Sequence, residues 1–219
     1  MSIKGILFDL DMTLVDFMTM KKMATAEAAT AMIGAGLRMD LDRLRDELFD
    51  FYMDYGIEGD YPFTEFLKLH GQMDDSILAA GMSAYHRVKS AFLEPYPRVI
   101  PTFIHLIKQG IKLGIVTDAP NLKAHQRLYA MKLTFFFDAI VTEAGKPAPD
   151  GFLKAVQILG LQPGEVLMVG DWPEKDIAGA RSAGLKSCLA LYGQNEKRPP
   201  VDVEPDFKIS RIDDLLQLI

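Results

Sequence analysis

The chain has 219 residues, 49% of them apolar, and carries 24 Lys and Arg against 30 Asp and Glu, a formal charge of −6 at pH 7. That length can bury a sizeable core, either as one large domain or as a core with a smaller insert. The acidic balance, spread without a long single-sign run, speaks against a nucleic-acid or membrane partner and makes a small molecule the expected one.

The first residues, Met1-Ser2-Ile3-Lys4, carry no signal or anchor pattern. No apolar segment approaches the ~18 residues of a membrane span. The single cysteine, Cys188, lies in the apolar stretch 185–191, where a buried thiol is expected, and it fits a reducing cytoplasm.

Residues 5–8 form a short apolar run of β type. Residues 17–92 then read as almost continuous helix, rich in Ala, Leu, Met and charge, with apolar positions three and four apart. Eight of the twelve methionines fall before residue 54, which suits adaptable packing. Beyond Tyr96 the rhythm changes. Apolar runs at 111–116, 136–141, 166–169 and 185–191 alternate with amphipathic stretches at 97–109, 121–131, 149–159 and 173–183, and 205–209 and 211–218 close the chain as a strand and a helix. Such alternation predicts a parallel sheet with helices on both faces. Gly110, Gly160 and Gly184 stand where helix C-caps are expected, and Pro97, Pro149 and Pro173 where helices open. If 5–9 belongs to the same sheet, the helical block is an insertion, a four-helix unit of ~75 residues. Its crossings fall at 16–18 and 94–97, where hinging would open and close a lid over reacting groups and so exclude water.

In open parallel sheets ligands bind beyond the carboxyl ends of the strands. Four strand ends carry polar groups here: Asp9 and Asp11; Thr117 and Asp118; Thr142, Glu143 and Lys146; and Asp171 and Asp176. Several carboxylates on one rim repel unless a cation joins them, and all-oxygen ligation is what magnesium prefers. A lysine and a threonine among those acids match the needs of a phosphoryl group. An ionised aspartate can attack phosphorus, and a second one two residues on can shuttle the proton.

The segments FDLDMTLVD (8–16), IVTDAP (115–120), GKPAPD (145–150) and VGDWPEKDIAGARSAG (169–184) resemble, in order, the four motifs of the haloacid dehalogenase superfamily of phosphohydrolases. The insert resembles the helical cap of its phosphoglycolate phosphatase and β-phosphoglucomutase branch. The resemblance implies a Rossmann-like α/β fold, a doubly wound parallel sheet with an inserted α-helical cap: residues 1–16 and 96–219 as the catalytic core and 17–95 as the cap. It implies Asp9 as nucleophile and metal ligand, and Asp11 as general acid/base that also offers its backbone carbonyl to Mg2+. Thr117 would hold the transferring oxygens and Lys146 would neutralise charge. Asp171 would bind the metal directly, and Asp176 either through water or as an orienter. Thr117, Asp118, Lys146 and Asp16 are the residues expected to meet substrate.

Met12 departs from the family pattern, in which glycine is commonest at that position. True dehalogenases of the superfamily carry an aromatic residue in place of the second aspartate, so Asp11 implies phosphate chemistry. Lys175, in DWPEKD, is expected to face solvent, and Lys21 and Lys22 to lie on a solvated face, with contact to an anionic substrate as the sharper alternative. Trp172 either walls the site or simply packs. His70, His86, His105 and His125 show no metal spacing. The turn at 55–62 is a helix connection or a substrate-contacting loop.

The expected activity is magnesium-dependent hydrolysis of a small phosphorylated metabolite through an aspartyl phosphate. A phosphotransferase or mutase on the same scaffold is the alternative. A receiver-like signalling domain fits less well, since it would carry adjacent acids after its first strand and no large insert.

Overall fold

The computed structural model describes residues 2–56, 62–193 and 203–219. Most of the candidate loop at 55–62, residues 57–61, lies outside the described residues. The chain divides into two compact units, Met1–Asp16 with Glu94–Ile219, and Phe17–Leu93.

The first unit is a six-stranded parallel sheet in the order β3-β2-β1-β4-β5-β6. Its strands are β1 (Gly5–Phe8), β2 (Lys112–Val116), β3 (Ala139–Val141), β4 (Val166–Gly170), β5 (Lys186–Ala190) and β6 (Phe207–Ile209). This is the strand order of dinucleotide-binding α/β folds, with the reversal of direction beside β1. Gly5 pairs with Lys112 on one side and Val166 on the other, and Phe8 with Ile115 and Val169. All four residues of β1 are buried, the run of apolar residues that a strand covered on both faces requires.

On one face Leu7, Val116 and Met168 pack with Phe152, Ala155, Val156 and Leu159 of α7 (Asp150–Leu159) and Ala180 of α8 (Ala178–Ser182). On the other, Phe8 meets Phe103 of α5 (Val99–Lys108) with ring centroids 5.0 Å apart, and Phe103 in turn meets Phe136 and Phe137. A further helix, α6 (Asn121–Ala130), follows β2.

Several element ends differ from those read off the sequence. Strand β3 is half the expected length because Thr134–Phe136 close into a 3-10 turn. Helix α5 begins two residues after Pro97 because Arg98 takes a left-handed φ of 70°. The stretch after β4 opens as a π-helical turn, Pro173–Ile177, before α8, and the closing segment is a 3-10 helix, Ile212–Gln217. Gly110, Gly160 and Gly184 adopt φ of 80°, 66° and 76°, the left-handed values that end helices.

The second unit consists of α1 (Phe17–Gly34), α2 (Leu41–Gly56), α3 (Pro62–Leu69) and α4 (Asp75–Phe92). Small residues set the α1–α4 seam. Ala24, Ala28 and Ala29 are fully buried, and a Cβ on Gly81 of α4 would lie 2.2 Å from Met32 Cε. Asp74 caps α4 by accepting from the amides of Ser76 and Ile77. Lys21 is not on a solvated face. It is buried in the first turns of α1, donates to Tyr85 Oη at 2.8 Å and lies 4.6 Å from the Tyr52 ring centre, so its charge is met by hydroxyl and ring. Lys22 is exposed. Among the described residues no helix is long and apolar enough to cross a membrane.

Candidate active site

The site is built at the carboxyl ends of β1 and β4, the strands flanking the reversal. Asp9 directly follows β1, and its amide donates to Val169 O at 2.9 Å, carrying the parallel ladder one residue further and fixing where the carboxylate starts. Asp171 directly follows β4, and Asp176 lies in the π-helical turn. Such turns are frequent at functional sites. The Asp176 amide donates to Trp172 O and the Trp172 amide to Asp176 Oδ2, at 2.7 and 2.9 Å. A Cβ on Gly170 would meet the Asp176 carboxyl carbon at 2.3 Å, so the absence of a side chain there is what lets Asp176 close in.

Asp9, Asp171 and Asp176 are all buried, and one carboxylate oxygen of each lies within 4.8 Å of the others. Lys146 Nζ donates to Asp9 Oδ1 and to Asp176 Oδ1, each at 2.6 Å, and is itself buried. Burial pushes the Asp9 carboxyl well above its usual range; Lys146 opposes that shift, while Asp176 and Asp171 add to it. Burial also works against the Lys146 charge, but Asp176 and Asp9 outweigh it and hold the ammonium protonated beyond the usual lysine range. With all three carboxylates ionised, one ammonium leaves an excess of two negative charges in a buried space, and that excess is what raises the Asp9 carboxyl further. A hard divalent cation with oxygen ligands fits that donor set and that excess.

The remaining expected residues divide into those beside the cluster and those apart from it. Asp118 accepts the Lys146 amide on Oδ1 and Lys175 Nζ on Oδ2, both at 2.9 Å. Partial burial works against its charge, but these donors hold its carboxyl below the ordinary range. Asp118 thus organises the lysine loop. Lys175 does not simply face solvent, since it pairs with Asp118 and lies 4.5 Å from the Trp172 ring centre. Thr117 is buried and its hydroxyl accepts the Ala119 amide at 3.2 Å, shaping the turn after β2. Asp16 is not one of the three clustered carboxylates, and its charge, with that of Asp171, adds to the upward push that burial chiefly gives the Tyr96 hydroxyl. The Asp11 side chain is likewise outside the cluster and accepts from Arg127 Nη1 at 2.8 Å.

Three contributors escaped the sequence reading. Arg127 belongs to the buried face of α6 with Ala124 and Leu128; an arginine three residues after one buried apolar position and beside another was the available signal. Gly193 packs against the loop after β1 so closely that a Cβ would sit 1.8 Å from Met12 O and 2.8 Å from Asp171 Cβ. Tyr192 donates to Thr13 O at 3.0 Å, and the Thr13 hydroxyl is 3.4 Å from Asp171 Oδ1. Met12 itself adopts φ 65°, the conformation that explains the commoner glycine.

A family model described as haloacid dehalogenase-like hydrolase matches residues 3–184. The chain belongs to the haloacid dehalogenase-like hydrolases. Glyceraldehyde 3-phosphate phosphatase of Methanopyrus kandleri is 37% identical over 226 aligned positions, covering 99% of this chain and 97% of that relative. The enzyme of the same description from Methanocaldococcus jannaschii is 33% identical, covering 99% and 97%. Among solved structures, the HAD-hydrolase YfnB of Bacillus subtilis, described as bound to magnesium, superposes with a TM-score of 0.70 at 21% identity and covers 100% of this chain and 99% of that one. This haloacid dehalogenase-like hydrolase is therefore an enzyme, and its class is that of phosphatases acting on phosphoric monoester bonds.

Proposed function

We propose that the protein is a magnesium-dependent phosphatase of a small phosphorylated metabolite that works through a phosphorylated Asp9. Asp9, Asp171 and Asp176 would hold the ion, with the Asp11 backbone carbonyl as a further ligand; when bound, it offsets the excess negative charge and withdraws electrons from the phosphoryl oxygens. Lys146 neutralises the attacking carboxylate and the incoming phosphate together, while Thr117 and nearby amides steady the transferring oxygens. Asp118 keeps Lys146 in place, and Asp16 is a candidate for contact with the substrate. An Asp9 carboxylate oxygen bonds to phosphorus as the ester P–O bond breaks, and Asp11 gives its proton to the departing oxygen. Asp11 then takes a proton from water, whose oxygen attacks phosphorus and frees Asp9 and inorganic phosphate.

The observation that carries this reading is the double 2.6 Å contact of Lys146 with Asp9 and Asp176 inside the three buried carboxylates. The two relatives named glyceraldehyde 3-phosphate phosphatase support a triose phosphate as the first substrate to assay. A lone buried thiol supports a reducing cytoplasm as the location. Asp9→Asn is expected to lower phosphate release by on the order of 10³-fold or more while the circular-dichroism spectrum stays that of the parent. Retained turnover in that variant overturns the proposal. Release of inorganic phosphate, rather than an isomer of the sugar phosphate, is the expected product.

A further inference from the structure

Asp11 belongs to a loop, and a loop carboxylate that must hand over a proton needs something rigid to aim it. Arg127 is placed to do so. Arg127 lies in the last turn of α6, its side chain 3% exposed, with Nη1 donating to Asp11 Oδ2 at 2.8 Å. The helix that carries it starts just past Thr117 and Asp118, so one element joins the rim of β2 to the loop after β1. A guanidinium stays charged throughout the working pH range and presents its donors in a fixed plane. Burying one is costly unless its geometry is used, and here it grips a carboxylate that is itself a quarter exposed.

We infer that Arg127 is a positioning residue for Asp11: its grip on Oδ2 turns Oδ1 toward the leaving oxygen, so that proton transfer passes through Oδ1. The inference rests on the phosphatase reading and on the part that reading gives Asp11. It follows that Arg127 matters most where the leaving group needs a proton. An alkyl phosphate expels a strongly basic alkoxide and requires one, whereas 4-nitrophenyl phosphate expels a stable phenolate and does not.

The test measures kcat and KM for glycerol phosphate and for 4-nitrophenyl phosphate in the wild type, Arg127→Gln, Arg127→Lys, Asp11→Asn and the Asp11→Asn/Arg127→Gln double variant. Arg127→Gln is expected to lower kcat/KM for the alkyl ester by on the order of 10- to 100-fold, the lower part of what general acid catalysis supplies. The nitrophenyl kcat/KM is expected to change little, because kcat/KM reports the phosphorylation of Asp9 and not the later attack of water, in which Asp11 serves both esters alike. Arg127→Lys, which keeps the charge and loses the fork, restores part of the alkyl rate. In the Asp11→Asn background, loss of Arg127 is expected to cost nothing more. Equal losses of kcat/KM on both esters, or a further loss in that background, overturn the inference and mark Arg127 as merely structural. Should Arg127→Gln fail to fold, Arg127→Lys is judged by the same split between esters. A wild type inert toward both esters removes the phosphatase reading and this role with it, whereas an active wild type with equal losses removes only the role of Arg127.

Discussion

Gly170 and Gly193 act by what they leave out. A methyl group on Gly170 would stand 2.3 Å from the Asp176 carboxyl, and one on Gly193 would stand 1.8 Å from Met12 O. Gly170→Ala should therefore push Asp176 from its neighbours and weaken magnesium binding by roughly 10- to 100-fold, the range for disturbing groups around a metal; isothermal titration with magnesium checks it. Lys146→Met would leave Asp9 and Asp176 facing each other without their shared cation. Breaking one partner of a buried ion pair costs about 3–5 kcal/mol, and the drop in denaturant midpoint should appear in metal-free protein and shrink when magnesium is added. The acids and the lysine were legible in the sequence because each follows an apolar run at a strand end. Arg127 and Gly193 were not, because what matters about them is their closeness to Asp11 and to Met12, which one-dimensional spacing does not carry.

At the scale of elements, β6 pairs with β5 along Cys188–Ala190, and one carboxylate just before β6 adds to that tie. Asp206 accepts the Ser187 amide at 2.9 Å, the Ser187 hydroxyl at 3.1 Å and Lys186 Nζ at 2.8 Å. Some burial works against its charge, yet these donors hold its carboxyl below the ordinary range. A carboxyl depressed in the folded state contributes stability above its unfolded pKa of about 3.9 and loses it as pH falls through the lower folded value. Asp206→Asn should thus lower the melting temperature at pH 7, and the two melting temperatures should converge as the pH falls below the unfolded value and through the lower folded one. The alternation of runs showed which segments are strands and helices, since period and glycine punctuation are local. It missed where they end. The 3-10 turn at Thr134–Phe136, the left-handed Arg98 and the π-helical turn at Pro173–Ile177 answer to packing and to site geometry, to which local propensity is blind.

For the whole molecule, the clustered carboxylates at the strand ends would make a bound magnesium ion part of the folded energetics. Chelation should abolish phosphate release and also lower the melting temperature, because anything that binds the native state alone stabilises it. Adding magnesium back should restore both, which calorimetry with and without a chelator reads directly. Cys188 is fully buried in β5, and burial pushes its thiol up to about 12. Thiol reagents at pH 8 should leave the native protein unmodified and react with one equivalent after denaturation, since the thiolate is the reactive species.

The central position of β1 bears on how the chain comes together at the ribosome. Its first hydrogen-bonding neighbour begins at Lys112 and its second at Val166, so Gly5–Phe8, apolar and buried in the finished protein, emerges long before either partner exists. Phe17–Leu93 needs nothing that comes later to assemble its own core. Domains generally fold as units during synthesis, and the helical unit can therefore form while the strand that precedes it waits exposed, a stretch for a chaperone to shield until the sheet closes around it.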